Sequence, residues 1–156
     1  MTRRGAPRPY MPTTMKTTMA MLLGSTMFAL ALTTVRAQQP GSALAGVYTE
    51  AQAKRGELLY TDQCKICHGP KLEGDLGPSI AGKEFVAAWK DMSVGELLDK
   101  ILMTMPSNQP GTLTPQQGAD LLAYVLSVNK YPVGQAELGT TVPPLKAVKM
   151  AVPPGQ

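Results

Sequence analysis

The segment Cys64-Lys65-Ile66-Cys67-His68 is the most informative part of this 156-residue chain. It holds the only two cysteines and the only histidine in the sequence. The thiols are three positions apart, which on a helix places them one turn apart on the same face. The imidazole follows the second thiol directly, so the three side chains form one compact group.

The pattern C-x-x-C-H is typical of covalent heme attachment. Each thiol adds to one vinyl group on the same edge of the heme, and the neighbouring histidine is then held beneath the iron. We therefore predict one heme c per chain, bonded to Cys64 and Cys67, with His68 as an axial ligand. A bulky cofactor would also compensate for the scarcity of aromatic residues, which make up 5% of the chain.

Three other interpretations of these residues stay open at the level of sequence. A structural zinc site usually needs four protein ligands, and two cysteines with one histidine fall short of that number. A thioredoxin-like redox pair is expected near a strand-to-helix junction, and no strand pattern is present. A disulfide beside an unrelated histidine is compatible with an exported protein.

The second axial ligand is expected to be a methionine, because the chain has no other histidine and His/Met ligation is common in cytochromes c. Outside residues 1–37 the methionines are Met92, Met103, Met105 and Met150. Met105 is preferred because Pro106 disfavours the helical conformation at the residue before it, so a rigid loop directs the thioether. Met103, inside an apolar helical pattern, is the alternative, and an iron without a methionine ligand is the third option.

Residues 1–37 are predicted to form a cleaved signal peptide. A basic stretch ending at Lys16 precedes an uncharged apolar run, residues 19–32, and Val35-Arg36-Ala37 forms a small-x-Ala cleavage site. The run is shorter than the roughly 20 residues that span a bilayer. We therefore expect a bacterial periplasmic protein without a permanent membrane anchor; an uncleaved anchor and a start at Met15 are the alternatives.

The net charge of +4 comes from this leader. Residues 1–37 carry five basic and no acidic side chains, whereas residues 38–156 carry ten basic and eleven acidic ones. The remainder of the chain is therefore close to neutral, with a formal charge of −1. This balance argues against nucleic-acid binding, and no nucleic-acid partner is expected.

Three helix starts are indicated by capping boxes, in which Ser or Thr is followed three residues later by Glu or Gln. The pairs are Thr49 with Gln52, Ser93 with Glu96, and Thr114 with Gln117. Apolar residues follow each pair at spacings of three and four. The helices are predicted to end near Cys64, Met105 and Asn129. No stretch alternates as strands do, so the fold class is predicted to be all-α.

The composition divides the rest of the chain into three parts. Residues 38–47 are small and contain Pro and Gly, which predicts a flexible lead-in. Residues 48–131 hold the helices and the cysteine motif. Residues 132–156 contain five prolines, which predicts an extended, solvated tail.

In four features the sequence resembles a class I cytochrome c. They are the C-x-x-C-H motif, the loop Gly77-Pro78-Ser79-Ile80-Ala81-Gly82, the pair Met105-Pro106 and a final helix, together covering about residues 48–130. The resemblance implies a cytochrome c fold with three to five helices around one covalently attached heme. It also implies an electron-transfer protein rather than an enzyme.

The resemblance assigns roles to further residues. The carbonyl of Pro78 would accept a hydrogen bond from Nδ1 of His68, and Gly56 would lie at the crossing of the first and last helices, opposite Tyr124. Trp89 would lie near a heme propionate, or else serve as a core aromatic. Ile66 and the loop at Gly69 are candidates for the neighbours of an exposed heme edge.

Residues 104–113, with residues 120–124 and 131–134, resemble small cytochromes found beside periplasmic quinoprotein dehydrogenases. This resemblance implies a periplasmic dehydrogenase, of the quinoprotein class, as electron donor. An oxidase or another cytochrome would be the acceptor. The alternatives are a cytochrome subunit of a permanent dehydrogenase complex and a heme protein that binds gases or peroxide.

Overall fold

A computed structural model describes residues 41–155 of the chain. The predicted signal peptide and the first residues of the lead-in, 38–40, lie outside this part. Residues 41–155 form six α-helices: α1 (Glu50–Gln63), α2 (Lys65–His68), α3 (Gly82–Trp89), α4 (Val94–Thr104), α5 (Pro115–Val128) and α6 (Val142–Leu145). β-Pairing within this range is limited to two isolated bridges, and the predicted all-α class is confirmed. None of these helices is both long and apolar enough to cross a membrane.

Two of the three predicted capping boxes are complete. The hydroxyl of Ser93 accepts from the amide of Glu96 at 3.1 Å, and the Glu96 carboxylate accepts from the amide of Ser93 at 2.7 Å. Thr114 and Gln117 make the same reciprocal pair, with Pro115 in the first helical position. These residues fix the starts of α4 and α5, because they satisfy amide groups that have no partner within the helix.

The third predicted capping box is only half formed: Thr49 caps the helix, but the Gln52 side chain does not bond back to it. Thr49 caps α1 by accepting from the amide of Gln52 at 3.2 Å. The side chain of Gln52, however, is fully buried and bonds the backbone of Leu138 on both sides, at 2.7 Å to its amide and 3.1 Å to its carbonyl. The partner is 86 residues away in sequence, so no local pattern could indicate it.

The crossing of α1 and α5 forms the centre of the fold. A Cβ atom at Gly56 would overlap the carbonyl oxygen of Asp120 and lie 2.9 Å from Cβ of Tyr124. The rings of Tyr60 and Tyr124 then pack with their centroids 5.3 Å apart. The predicted position of Gly56 is confirmed: only a residue without a side chain lets the two helices approach this closely.

The C-terminal segment corrects the predicted domain boundaries. Residues 132–155 were expected to be extended and solvated, but Leu138, Leu145, Val148 and Met150 are all buried, and α6 lies within the segment. The backbone of Lys149 pairs with Gly41 and Ala43, and Val148 accepts from the amide of Val94 at 2.8 Å. Residues 132–151 therefore form a strap, packed against α1 and the start of α4. Composition was misleading here because apolar side chains spaced along a Pro-rich segment still gain from burial.

The strap also changes the prediction for the lead-in. Residues 41–47 were expected to be flexible, but they contain a 3-10 turn at Ala43–Ala45 and bury Ala43 and Val47. At the C-terminal end, Arg55 of α1 donates to the carboxylates of Asp120 on α5 and Glu137 in the strap, at 2.9–3.0 Å. The ordered unit thus extends beyond residues 48–131 at both ends.

Candidate heme site

The cysteine motif lies where α1 ends and the single turn α2 follows. Cys64 ends α1, and the amides of Cys67 and His68 both bond its carbonyl, at 3.1 Å and 3.0 Å. Both thiols are half-buried and not joined in a disulfide. This geometry places two reduced thiols one helical turn apart, as the heme interpretation requires.

The Cys64 thiol lacks the lowered pKa of an activated nucleophile. Burial, with smaller contributions from Cys67 and Asp62, raises the pKa of the Cys64 thiol to about 11. Reactive cysteines have lowered pKa values because the thiolate is the nucleophile. Within residues 41–155 there is also no group of three or more His, Cys, Asp or Glu side chains that could hold a metal ion. The thioredoxin-like and zinc interpretations therefore find no support in the described residues.

His68 is held in one orientation by the loop that follows it. The side chain is 9% exposed, and its Nδ1 donates to the carbonyl of Pro78 at 2.8 Å. A Cβ atom at Gly77 would lie 3.0 Å from Cε1 and 3.2 Å from Nδ1 of the ring. Because Nδ1 is occupied, Nε2 is the nitrogen left to bind a metal.

The loop of residues 69–82 is bonded to the motif along its length. The amide of Gly74 donates to the carbonyl of His68, and the amide of Gly77 donates to the carbonyl of Cys67, both at 2.8 Å. The hydroxyl of Ser79 lies within hydrogen-bonding distance of the carbonyls of Leu72 and Ala81 and can donate to either. These bonds keep the Pro78 carbonyl next to the imidazole.

Two buried side chains anchor the ends of this loop, and neither role was predicted from the sequence. The hydroxyl of Tyr60 on α1 donates to the carbonyl of Gly69 at 2.6 Å. The amide group of Asn129, at the end of α5, accepts from the amide of Gly82 and donates to the carbonyl of Ile80. The only sequence signal for Asn129 is a polar residue between apolar neighbours at a helix end, which does not identify its partners.

The two candidate methionine ligands differ in burial and position. Met105 follows α4 in extended conformation, with φ −117° and ψ 149°, and its side chain is half-buried against the core. Met103 lies within α4 and is 65% exposed. The predicted helix break before Pro106 is therefore present, and it separates a half-buried thioether from an exposed one.

Trp89 lies at the end of α3. It is half-buried, and its ring packs against Phe85 with centroids 6.3 Å apart. This contact fits a core aromatic, and the proximity to a heme propionate stays a prediction.

The donor set fits a covalently attached heme. Two free thiols stand one turn apart, an oriented imidazole presents Nε2, and a half-buried thioether leaves α4 on a separate loop. Gly77 leaves just enough room beside the ring, because a Cβ atom there would crowd it. An all-α domain with this donor set defines a c-type heme protein.

Comparison with known proteins agrees with this class. Residues 51–125 match the family described as cytochrome c oxidase, cbb3-type, subunit III. The chain is 31% identical over 78 residues to a cytochrome c-553-like protein of Synechocystis, covering 49% of this chain and 69% of that protein. It is 33% identical over 85 residues to cytochrome c-551 of Bacillus subtilis, covering 54% and 70%.

The chain therefore belongs to the small monoheme class I cytochromes c, which are electron carriers. Family membership, together with the spacing of Cys64 and Cys67, establishes covalent heme c as the cofactor. Among solved structures, the sulfane dehydrogenase SoxCD of Paracoccus pantotrophus matches over 65% of this chain and 54% of that chain, at 23% identity and a TM-score of 0.46.

Proposed function

We propose that this cytochrome is an exported carrier of single electrons whose iron is ligated by His68 and Met105. The observation that carries the proposal is the 2.8 Å hydrogen bond from Nδ1 of His68 to the carbonyl of Pro78. Such a bond fixes the tautomer of a metal-binding histidine and raises its basicity. Bound heme supplies a one-electron couple between ferric and ferrous iron.

Met105 supports the carrier role because a second strong ligand leaves no position for a small molecule. Its thioether is half-buried at the end of α4, and extended backbone takes it out of the helix. Methionine ligation also raises the reduction potential. His68, at the end of α2, and Met105, after the end of α4, would thus hold the iron from two separate elements and exclude water and gases.

Exposed apolar side chains support an electron port beside the cysteines. Ile66 is 72% exposed and Leu76 is 80% exposed. Ile66 directly precedes Cys67, and Leu76 directly precedes Gly77. The amide of Gly77 donates to the carbonyl of Cys67, so the two apolar residues lie next to a hydrogen-bonded pair. Apart from its leader the chain is nearly neutral, so docking would rely on apolar contact more than on long-range steering.

The location and partners follow from the sequence patterns. The leader supports export to the bacterial periplasm, where heme is attached after the chain has crossed the membrane. The resemblance around residues 104–134 supports a periplasmic dehydrogenase, of the quinoprotein class, as donor. An oxidase or another cytochrome would accept the electron.

The packing of the strap argues against the alternative that this protein is a subunit of a permanent complex. In such a complex, residues 132–156 would be the segment available to dock against the partner. In the structure Leu138, Leu145 and Met150 of this segment are buried against the cytochrome domain itself. They are therefore not free to bind a partner, which favours the independent carrier.

The decisive experiment compares Met105→Ala with Met103→Ala in the mature protein, coexpressed with a heme-attachment system. The wild type should show covalent heme and the weak far-red charge-transfer band of sulfur-ligated ferric iron. We expect Met105→Ala to lose this band and to bind carbon monoxide when reduced. Met103→Ala, the matched control two residues away, should keep the band and resist carbon monoxide.

Three results would contradict parts of the proposal. A band that survives in Met105→Ala and disappears in Met103→Ala would assign the ligand to Met103. A wild type that lacks the band and binds carbon monoxide readily would identify a ligand-binding heme rather than a carrier. A mature protein whose mass includes residues 1–37 would contradict signal-peptide cleavage.

A further inference from the structure

Asn129 makes more hydrogen bonds than a helix end requires. Its side chain is fully buried, and its Oδ1 accepts from the amide of Gly82 at 2.9 Å. Its Nδ2 donates to the carbonyl of Ile80 at 3.0 Å and to the carbonyl of Val125 at 2.8 Å. Only the last of these bonds lies within α5, so the other two join α5 to the end of the loop 69–82.

A short bonded path leads from Asn129 to the imidazole of His68. Ile80 is two residues from Pro78, and between them the hydroxyl of Ser79 lies within hydrogen-bonding distance of the carbonyls of Leu72, at 3.1 Å, and Ala81, at 2.9 Å. The amide of Ile80 also donates to the carbonyl of Leu72 at 2.9 Å. The segment that carries the Pro78 carbonyl therefore has little freedom while Asn129 holds its far end.

We propose that Asn129 is a positioning residue that sets the strength of the hydrogen bond between Pro78 and His68, and through it the reduction potential. This inference rests on the proposed function, in which Nε2 of His68 ligates the iron. Asn129 acts only through the loop, by fixing the distance between the Pro78 carbonyl and Nδ1.

The direction of the effect follows from the role of the Nδ1 bond. A strong acceptor at Nδ1 makes the imidazole more basic and a better electron donor to the metal. A better donor favours ferric iron over ferrous iron. Release of the loop lengthens this bond, so the reduction potential should rise when Asn129 is removed.

Gln52 provides a matched control in the same chain. It too is a fully buried amide that bonds a distant backbone, donating to the carbonyl and accepting from the amide of Leu138. Its partners belong to the strap rather than to the loop 69–82. Gln52→Met removes two buried hydrogen bonds and Asn129→Leu removes three, but only the second change affects the path to His68.

The experiment measures thermal stability, reduction potential and exchange of the His68 Nδ1 proton by NMR in the heme-loaded protein. We expect Asn129→Leu and Gln52→Met to lower the melting temperature by comparable amounts. Only Asn129→Leu should speed the exchange of the Nδ1 proton, by about tenfold or more. Only that variant should shift the redox equilibrium toward ferrous iron, by up to about tenfold, which for one electron is 59 mV.

Equal effects of Asn129→Leu and Gln52→Met on proton exchange and potential would overturn the inference. If Asn129→Leu does not fold, Asn129→Asp keeps the acceptor for Gly82 but loses the amide that donates to Ile80. Faster Nδ1 proton exchange in this variant supports the inference, and unchanged exchange overturns it. A wild type in which His68 shows no iron ligation overturns the proposed function as well, whereas a normal wild type with insensitive variants overturns only the role of Asn129.

Discussion

The two loops that would face the heme are stabilised in different ways. Residues 69–82, on the histidine side, bond to α1, α2 and α5 through Tyr60, His68 and Asn129. Residues 106–113, on the methionine side, bond only within the segment, from Gln109 to Pro106 and from Thr112 to Gln109. Leu113 is their only buried residue, and residues 107–112 are all exposed.

This difference indicates that the loop of residues 69–82 is held more firmly than the loop of residues 106–113. Many bonds to separate elements must break together before the histidine loop can move. The methionine loop can move after a few local bonds are lost. We therefore expect the methionine side to open first under heat, acid or denaturant, and the histidine side to open only with global unfolding.

The largest expected difference is in amide hydrogen exchange of the heme-loaded protein. The amides of Gly77 and Gly82 are bonded across elements, whereas those of Ser107 and Asn108 lie in the exposed segment. We expect the first pair to exchange roughly 100-fold more slowly, after correction for intrinsic rates. Measurement by NMR tests this directly, and similar rates in both loops would contradict the comparison.

Replacing one glycine in each loop should separate steric crowding from backbone strain. Gly77→Ala places a Cβ atom 3.0 Å from the ring of His68, and such overpacking costs about 1–3 kcal/mol. Gly111→Ala meets nothing within 4 Å, but its φ of +75° costs an alanine about 1 kcal/mol.

Guanidinium unfolding measures both costs in free energy, and NMR of the heme-loaded protein measures the effect on His68. We expect Gly77→Ala to be the more destabilising variant and the only one that changes the His68 resonances. A Gly111→Ala variant with the greater loss of stability would place the tighter constraint on the methionine side.

A pair of hydroxyl deletions makes the same comparison with a smaller effect. Tyr60→Phe removes the buried bond to the carbonyl of Gly69, which should cost about 1 kcal/mol of unfolding free energy. Burial raises the pKa of the Tyr60 hydroxyl, so the hydroxyl stays protonated and donates across the neutral range. Thr112→Val removes an exposed bond to Gln109 and should change stability by less than about 0.5 kcal/mol. Equal costs, measured by chemical denaturation, would show that the methionine loop also depends on its hydrogen bonds.

The smallest expected effect is an acid sensitivity that arises at α4, the helix leading to Met105. The Ser93 side chain and amide, with weaker contributions from Lys149 and Lys146, lower the pKa of Glu96 below its ordinary 4.5. A lowered folded-state pKa means that this contribution is present above pH 4.5 and is lost as the pH falls through the folded pKa.

Glu96→Gln keeps an acceptor for the cap without a charge that titrates. We expect the melting temperature of the wild type to fall more steeply than that of the variant below about pH 4.5. The far-red band should weaken before the His68 resonances change. Parallel melting curves for the two proteins would remove Glu96 as the source of acid sensitivity.

The sequence predicted those parts of the fold that depend on neighbouring residues. Capping at Ser93 and Thr114, the break at Pro106 and the turn that carries Cys64 and Cys67 all depend on residues within a few positions of one another. The position of Gly56 could be predicted from the family resemblance, because the crossing of α1 and α5 admits no side chain there.

The parts that the sequence did not predict depend on distant partners. Gln52 bonds to Leu138 and Asn129 bonds to Ile80, and neither pairing leaves a periodic or local signal. The strap was missed for the same reason: its prolines suggested an extended, solvated chain, while the burial of Met150 depends on surfaces formed by residues far away in sequence. Composition indicates the conformation that a segment prefers in isolation. Residues 41–47 and the strap are ordered instead by their contacts with the rest of the domain.

The pairing of Lys149 with Gly41 and Ala43 joins the two ends of the described domain. A chain that crosses the membrane with its N-terminus first exposes Cys64 and Cys67 well before Lys149 is available to join the two ends. In the proposed export route, heme would be attached to the unfolded chain outside the membrane, before the strap has joined the two ends. The strap would then complete the domain only after the heme has been attached.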